Sequence, residues 1–303
     1  MSGKADSVKP IFFALGANFA IFVAKGAAAL VTGSGAMTAE AVHSLADCGN
    51  QLLLLVGLKT AKAPPSPDHP LGQGKAIYFW SFLVALLLFS VGGAFSIYEG
   101  IHKLQEPEAL NRAWIAITVL VFGIAAESVS MWGCMREVNK SRGDRNLWRW
   151  FHESRQSELI VIFGEDLAAL LGLVFALVAV VATVITGNPL YDAIGTLAIG
   201  VLLVVVAVFI AIEVKALLIG QGVDPRRRAE MLAFLDGRQE VARVFNLATL
   251  QLGNDVMVAI KAEMSGEHGS NRGIVDAINA VERDMRQAFP EIRWSFFEPD
   301  MAD

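Results

Sequence analysis

The chain has 303 residues, 54% hydrophobic and 18% charged, with a net charge of -5 and a mean hydropathy of +0.49. A soluble domain carries about 25% charged residues, so the composition excludes a wholly soluble protein, and the acidic balance argues against a basic nucleic-acid-binding face. The two cysteines, Cys48 and Cys134, fall inside apolar runs and imply no disulfide framework.

A bilayer span needs about 20 mostly apolar residues. Six segments qualify, at 10–31, 37–58, 77–99, 113–135, 158–184 and 190–218. The first lacks a convincing cleavage site and is expected to remain as a span, not to be removed as a signal peptide. An even number of spans puts both termini on one side, and the distribution of Lys and Arg selects that side. The connection after the fourth span holds Arg136, Lys140, Arg142, Arg145, Arg149 and Arg155, and the one after the second holds Lys59, Lys62 and Lys75. On the opposite side, "TGSG" and "TGNP" carry no basic residue, and the middle connection carries only Lys103 and Arg112. Both termini are therefore expected in the cytoplasm of a cell whose inner membrane, bacterial on this reading, holds the protein. In a mitochondrion the corresponding side is the matrix.

The composition changes near residue 219, which predicts a membrane domain over 1–219 and a soluble domain over 220–303. From Gly220 onward there are ten Lys/Arg and fourteen Asp/Glu, so most of the net acidity lies there. A helix is expected at 226–236, then strands at 242–252 and 256–264 joined by the hairpin signal Gly253-Asn254-Asp255. Val258, Ile260, Ala262 and Met264 alternate with polar or small residues, as in a half-buried strand. Ile274, Ile278, Val281, Met285 and Phe289 recur at helical spacing, Pro290 stops that helix, and "IRWSFF" closes the domain as a third strand. The order α-β-β-α-β predicts a small α+β sandwich, whose plainest role is dimerisation.

Within the second span, "TAEAVHSLADCGNQLLLLVGL", His43 and Asp47 are four residues apart and share a helix face, with Glu40 and Asn50 nearby. An imidazole and a carboxylate are donor types that zinc accepts; the other reading is that the two bond to each other and hold helices together. Ionisable groups inside a bilayer usually serve function. The fifth span brings adjacent acids, Glu165 and Asp166, in "SELIVIFGEDLAALLGL". With His43 and Asp47 they supply enough donors for one tetrahedral site. Glu127, in "AAESVSMW", is a proton carrier, a supporting partner of that site or a structural bond. Lys25 pairs with an acid or reaches the interface, Asp192 caps the sixth span, and Cys48, about 100° around the helix from Asp47, packs. Asp68 and His69 lie in "SPDHPLGQGK", a loop that offers at most a weak metal site.

These stretches together resemble the cation diffusion facilitator family of divalent-metal transporters. The likeness covers nearly the whole chain and rests on "GSGAMTAEAVHSLADCGNQ", "HPLGQGKAIYFW", "YEGI", "GEDLAALLG" and "PLYDAIGTLAIG". The details look most like the branch containing member nine of solute carrier family 30. The resemblance implies six transmembrane helices per protomer, a homodimer in the lipid bilayer, and a cytoplasmic tail with a ferredoxin-like, metallochaperone-like fold. It also implies export of Zn2+, or of Mn2+, Co2+, Fe2+ or Cd2+, as the transported substrate in exchange for protons. Carried over by position, the family's second-span ligands correspond to His43 and Asp47. On the fifth span Asp166 matches the family aspartate, but Ile162 stands where its histidine belongs, and Glu165 is the residue that can replace it. Gln73 replaces the second histidine of the loop motif. Phe296 and Phe297 stand near the place of the tail histidine, so the additional loop and tail metal sites are expected to be weak or absent. The competing reading is a non-transporting partner or regulator of a metal transporter, with the missing histidine as its signature. An intramembrane metalloenzyme is disfavoured, because no H-E-x-x-H or similar set occurs.

Overall fold

The computed structural model describes residues 8–107, 110, 112–266 and 270–302. Residues 1–7 and 303, and with them the expected side of each terminus, lie outside the described residues. The chain separates into two compact units. One holds the chain up to Lys59, Ile77–Leu147 and Ser157–Lys215, and the other gathers Thr60–Ala76, Trp148–Gln156 and Ala216–Asp303.

The first unit is helical. Its elements are α1 (Val8–Thr32), α2 (Gly35–Ala61), α3 (Ala76–Leu87), a π-helical segment (Leu88–Ala94), α4 (Phe95–Gln105), α5 (Ala113–Arg142), α7 (Ser157–Thr186) and α8 (Leu190–Ile219). The short α6 (Leu147–Glu153) lies in the basic connection between α5 and α7. Five of the described helical stretches are long and apolar enough to cross a bilayer: α2, the continuous Ala76–Gln105 stretch, α5, α7 and α8. The apolar stretch Asn18–Thr32 of α1 is shorter. The helices run past the predicted spans where charged residues continue the turn, as "REVNKSR" does at the end of α5.

The distribution of residues in this unit is the reverse of a soluble core. Leu30, Tyr98, Trp114, Phe122, Val129 and Ile185 are exposed, whereas Lys25, Glu40, His43, Asp47, Asn50, Glu127, Glu165 and Asp192 are buried. Such an arrangement suits a hydrocarbon solvent, in which only the interior can satisfy polar groups. Close helix contacts use glycine. A Cβ on Gly93 would lie 2.7 Å from Val204, one on Gly100 2.6 Å from Leu197, and one on Gly200 2.7 Å from Ile97, so the π segment and α4 press against α8 backbone to backbone. In the π segment and its flank, Ser90 and Ser96 donate to the carbonyls of Leu86 (2.8 Å) and Gly92 (2.7 Å), satisfying acceptors that the widened turn loosens.

Asp192 does not cap its own helix, as its sequence position suggests it would, because its carboxylate bonds to the start of α2 instead. Its carboxylate accepts from Ser34 Oγ (2.6 Å) and from the Gly35 amide (2.7 Å), so α8 caps the N-terminus of α2. Lys103 Nζ donates to the Gly33 carbonyl (2.8 Å) in the same turn, where Gly33 takes a left-handed φ of 67°. The start of α2 is thereby held by α4 and α8 together.

In the second unit, Asp224 caps α9 (Pro225–Asp236), accepting from the Arg226 amide, with Pro225 at the first helical position. Strands β1 (Val241–Leu252) and β2 (Asp255–Met264) pair antiparallel across Gly253, whose φ is 67°. Ser270 caps α10 (Asn271–Ala288). That helix supplies the crossover that lets β3 (Ile292–Pro299) lie parallel to β2, giving the sheet order β1-β2-β3. Val256, Val258, Ile260 and Ala262 of β2 face a core completed by Met231, Leu235, Val281, Met285 and Phe289. Gly74 lies against the backbone of Leu252 and Gly253, and Arg155 Nε donates to the Gly222 carbonyl (2.6 Å). Segments 60–76 and 148–156 thus fold with the tail.

Candidate metal centre

Glu40, His43, Asp47 and Asn50 follow one another at spacings of three, four and three, and so form one stripe along α2. All four are buried. His43 Nδ1 and Asp47 Oδ1 are 3.7 Å apart, close enough for electrostatic attraction but too far for a hydrogen bond. The simple mutual bond considered from the sequence is therefore not made.

From α7, Glu165 meets this stripe. Asn50 Nδ2 donates to Glu165 Oε1 at 3.0 Å. The Asp47 and Glu165 carboxyl groups lie near enough to act on each other. Asp166, one residue on, points elsewhere: Ser130 Oγ of α5 donates to its two carboxylate oxygens at 3.2 and 3.3 Å. Ile162 is 38% exposed, one turn before Asp166. Glu127 of α5 is buried near enough to act electrostatically on Asp47, Glu165 and Asp166. Among the described residues no three His, Cys, Asp or Glu side chains converge closely enough to hold an ion together. The structure thus brings Asp47 and Glu165 together with His43 beside them, and leaves Asp166 on the α5 side.

What marks the stripe chemically is its unsatisfied atoms. Glu40 Oε1, both ring nitrogens of His43, Asp47 Oδ1, Asn50 Oδ1 and Gln51 Oε1 are buried without a hydrogen-bond partner, and all belong to α2. An unpartnered buried polar atom costs about 1–3 kcal/mol, so a row of them calls for a ligand. Oxygen and imidazole donors with no thiolate suit a borderline to hard divalent cation. Cys48 lines an apolar groove with Phe19, Leu45 and Leu52. Asp68 and His69 are exposed in a turn closed by reciprocal Ser66–His69 backbone bonds of 3.0 Å, with no third donor gathered to them.

Sequence reasoning missed the partner of Lys25. Its Nζ donates to Glu40 Oε2 (3.0 Å) and to Ser44 Oγ (2.9 Å), fully buried between α1 and α2. It missed Gly172 of α7 too, where a Cβ would lie 2.5 Å from Glu40 Oε1. The available signal was a lone lysine in one apolar run facing a lone glutamate in the next.

Residues 11–219 match the family described as the cation efflux transmembrane domain. The chain is 32% identical over 258 residues to the mitochondrial proton-coupled zinc antiporter SLC30A9 of Xenopus laevis, a match covering 84% of this chain and 46% of the relative. It is 29% identical over 253 residues to metal tolerance protein C4 of Arabidopsis thaliana, covering 82% and 54%. A shorter match, 28% over 114 residues and covering 35% and 36%, is to the magnetosome protein MamM of Magnetospirillum gryphiswaldense. The chain spans about half the length of the first two relatives.

Proposed function

The chain belongs to the cation efflux family, and from that premise we propose that it is a proton-coupled secondary transporter exporting Zn2+ or a related divalent cation from the cytosol. Membership makes it an integral membrane protein of a transporter family, not an enzyme family. The single observation that carries the reading is the row of unpartnered α2 atoms at His43, Asp47 and Asn50, faced by Glu165 of α7.

In the proposed mechanism the cation enters between α2 and α7 and takes His43, Asp47 and Glu165 as donors. Two acids this close in a poorly screened interior repel when both are charged, so a proton bound between metal loads leaves when both carboxylates turn to the metal and one returns when the metal departs. Exchange of metal for proton follows from that competition. Asp166 is the remaining member of the proposed set. It is about 100° around α7 from Glu165, so it reaches α2 only when α7 turns, and alternating access is built from such motions of helix bundles. Glu127 and Asn50 support the site, as proton acceptor and as amide bridge.

The rest of the architecture belongs to the same proposal. Residues 1–219 form six spans, α1 included. Residues 220–303 form a ferredoxin-like cytoplasmic module that clamps a homodimer, on the cytosolic side of a bacterial inner membrane or the matrix side of a mitochondrial one. The names of the relatives support zinc and proton coupling. Ile162, standing where a histidine would add a nitrogen donor, favours a second reading, a non-transporting partner. Zn2+ flux into liposomes holding only the purified protein separates the two: flux lost in Asp47→Ala supports transport, and no flux from the intact chain supports the partner.

A further inference from the structure

The buried pair of Lys25 and Glu40 is not absorbed by the mechanism above. Lys25 Nζ holds one Glu40 oxygen at 3.0 Å and Ser44 Oγ at 2.9 Å, with both charged side chains sealed from solvent. The other Glu40 oxygen has no partner. It packs against Gly172 of α7, where a Cβ would lie 2.5 Å from it. Glu40 precedes His43 by three residues and Asp47 by seven, on the same face, so it stands about 10 Å along α2 from Asp47, toward the α1–α2 turn. The charge of Lys25 acts on Glu40, on His43 and Asp47, and on Glu127 of α5.

We propose that Lys25 is a tethered counter-cation and Glu40 a second cation station. The ammonium holds Glu40 while the station is empty and gives way when a divalent cation arrives from the His43–Asp47 site. A buried glutamate with one oxygen held and one bare is half a binding site. Its second oxygen lies unpartnered against Gly172, and its counter-ion sits on a flexible four-carbon stem with a second acid, Glu127, within its electrostatic reach. Because the ammonium and the metal are like charges in a poorly screened interior, Lys25 weakens metal retention across the whole stripe. The cation is passed along and does not rest at the central site. The proposal rests on the transport reading and assigns two residues that reading leaves idle.

The test is equilibrium binding of Zn2+ to the purified full chain by titration calorimetry, paired with Zn2+ flux in liposomes. Lys25→Met removes the competing charge and leaves Glu40 free, so Zn2+ binding tightens by about tenfold or more while flux slows, because release is hindered. The same variant binding Zn2+ no more tightly than the intact chain overturns the proposal. Leaving Glu40 unpaired can compromise folding, so Lys25→Met/Glu40→Gln supplies a neutral pair of similar size. The proposal predicts a folded protein that still binds Zn2+ through Asp47 yet carries it slowly. Flux at the intact rate would make the pair purely structural and overturn the proposal by itself. Absence of Asp47-dependent Zn2+ binding in the intact chain would overturn the transport reading and this proposal together.

Discussion

His43 and Asp47 show how much a single helix turn can specify. Ionisable groups in an apolar run are costly, so a histidine and an aspartate at i and i+4 stand out as a candidate site from the residue pattern alone. The same holds for Glu165. What the pattern does not reveal is which neighbouring acid faces inward: Glu165 meets Asn50 and Asp47, whereas Asp166 meets Ser130. The choice is set by the rotation of α7, which depends on packing against α5 and α8 and not on local pattern. Asp47→Ala should abolish Zn2+ flux while leaving the protein folded, seen as a monodisperse profile in detergent. Glu165→Gln should lower flux by about tenfold and flatten its dependence on pH, because an amide cannot hold and release the proton. Wild-type flux from Glu165→Gln at every pH would remove Glu165 from the site. Lys25 and Glu40 are harder to read, since their partnership spans 15 positions and two helices.

At the scale of elements, the helices follow the apolar runs closely, and so does the α-β-β-α-β order of the tail. The π segment and the role of Asp192 do not, because both are set by contacts between helices. Gly92 and Gly93 suit a widened turn, but only the neighbouring α8 shows why bulk is excluded there. Gly200→Val should therefore destabilise the helical unit by about 1–3 kcal/mol, read as a lowered thermal midpoint. Gly133→Ala, where an added Cβ meets nothing within 4 Å, should not lower it; equal losses from both would mean that the glycine contacts carry no weight. In the tail, Arg227 Nη2 donates to Glu291 Oε2 at 3.1 Å and Nε bonds the other oxygen. Partial burial works to raise the pKa of Glu291, but the hydrogen bond and charge of Arg227 outweigh it and hold the carboxyl below its ordinary value. A lowered folded value means stability that is present above the unfolded pKa of about 4.3 and is lost as pH falls through the folded value. Glu291→Gln should thus weaken hydrogen-exchange protection of α9 at pH 7 by roughly 0.5–1 kcal/mol, a figure discounted for solvent screening. The difference should vanish once the pH is below the carboxylate range; a difference that persists there would assign the effect to packing.

For the whole molecule, the helical unit is the proposed conductor and the tail the proposed clamp. Phe296 of β3 is 55% exposed, and neither it nor Phe297 offers a donor where a metal-sensing tail would need one. Removing the chain beyond Gly222 should weaken self-association without removing the α2–α7 site, as sedimentation in detergent would report. The central claim is that protons and a divalent cation compete for the carboxyl groups between α2 and α7. It is tested most directly by Zn2+ uptake into liposomes containing the purified protein, with and without an acidic interior, for the intact chain and for Asp47→Asn. Such competition predicts that an acidic interior drives Zn2+ inward and that Asp47→Asn takes up none under either condition. Zn2+ uptake indifferent to the proton gradient, or undiminished in Asp47→Asn, would contradict it.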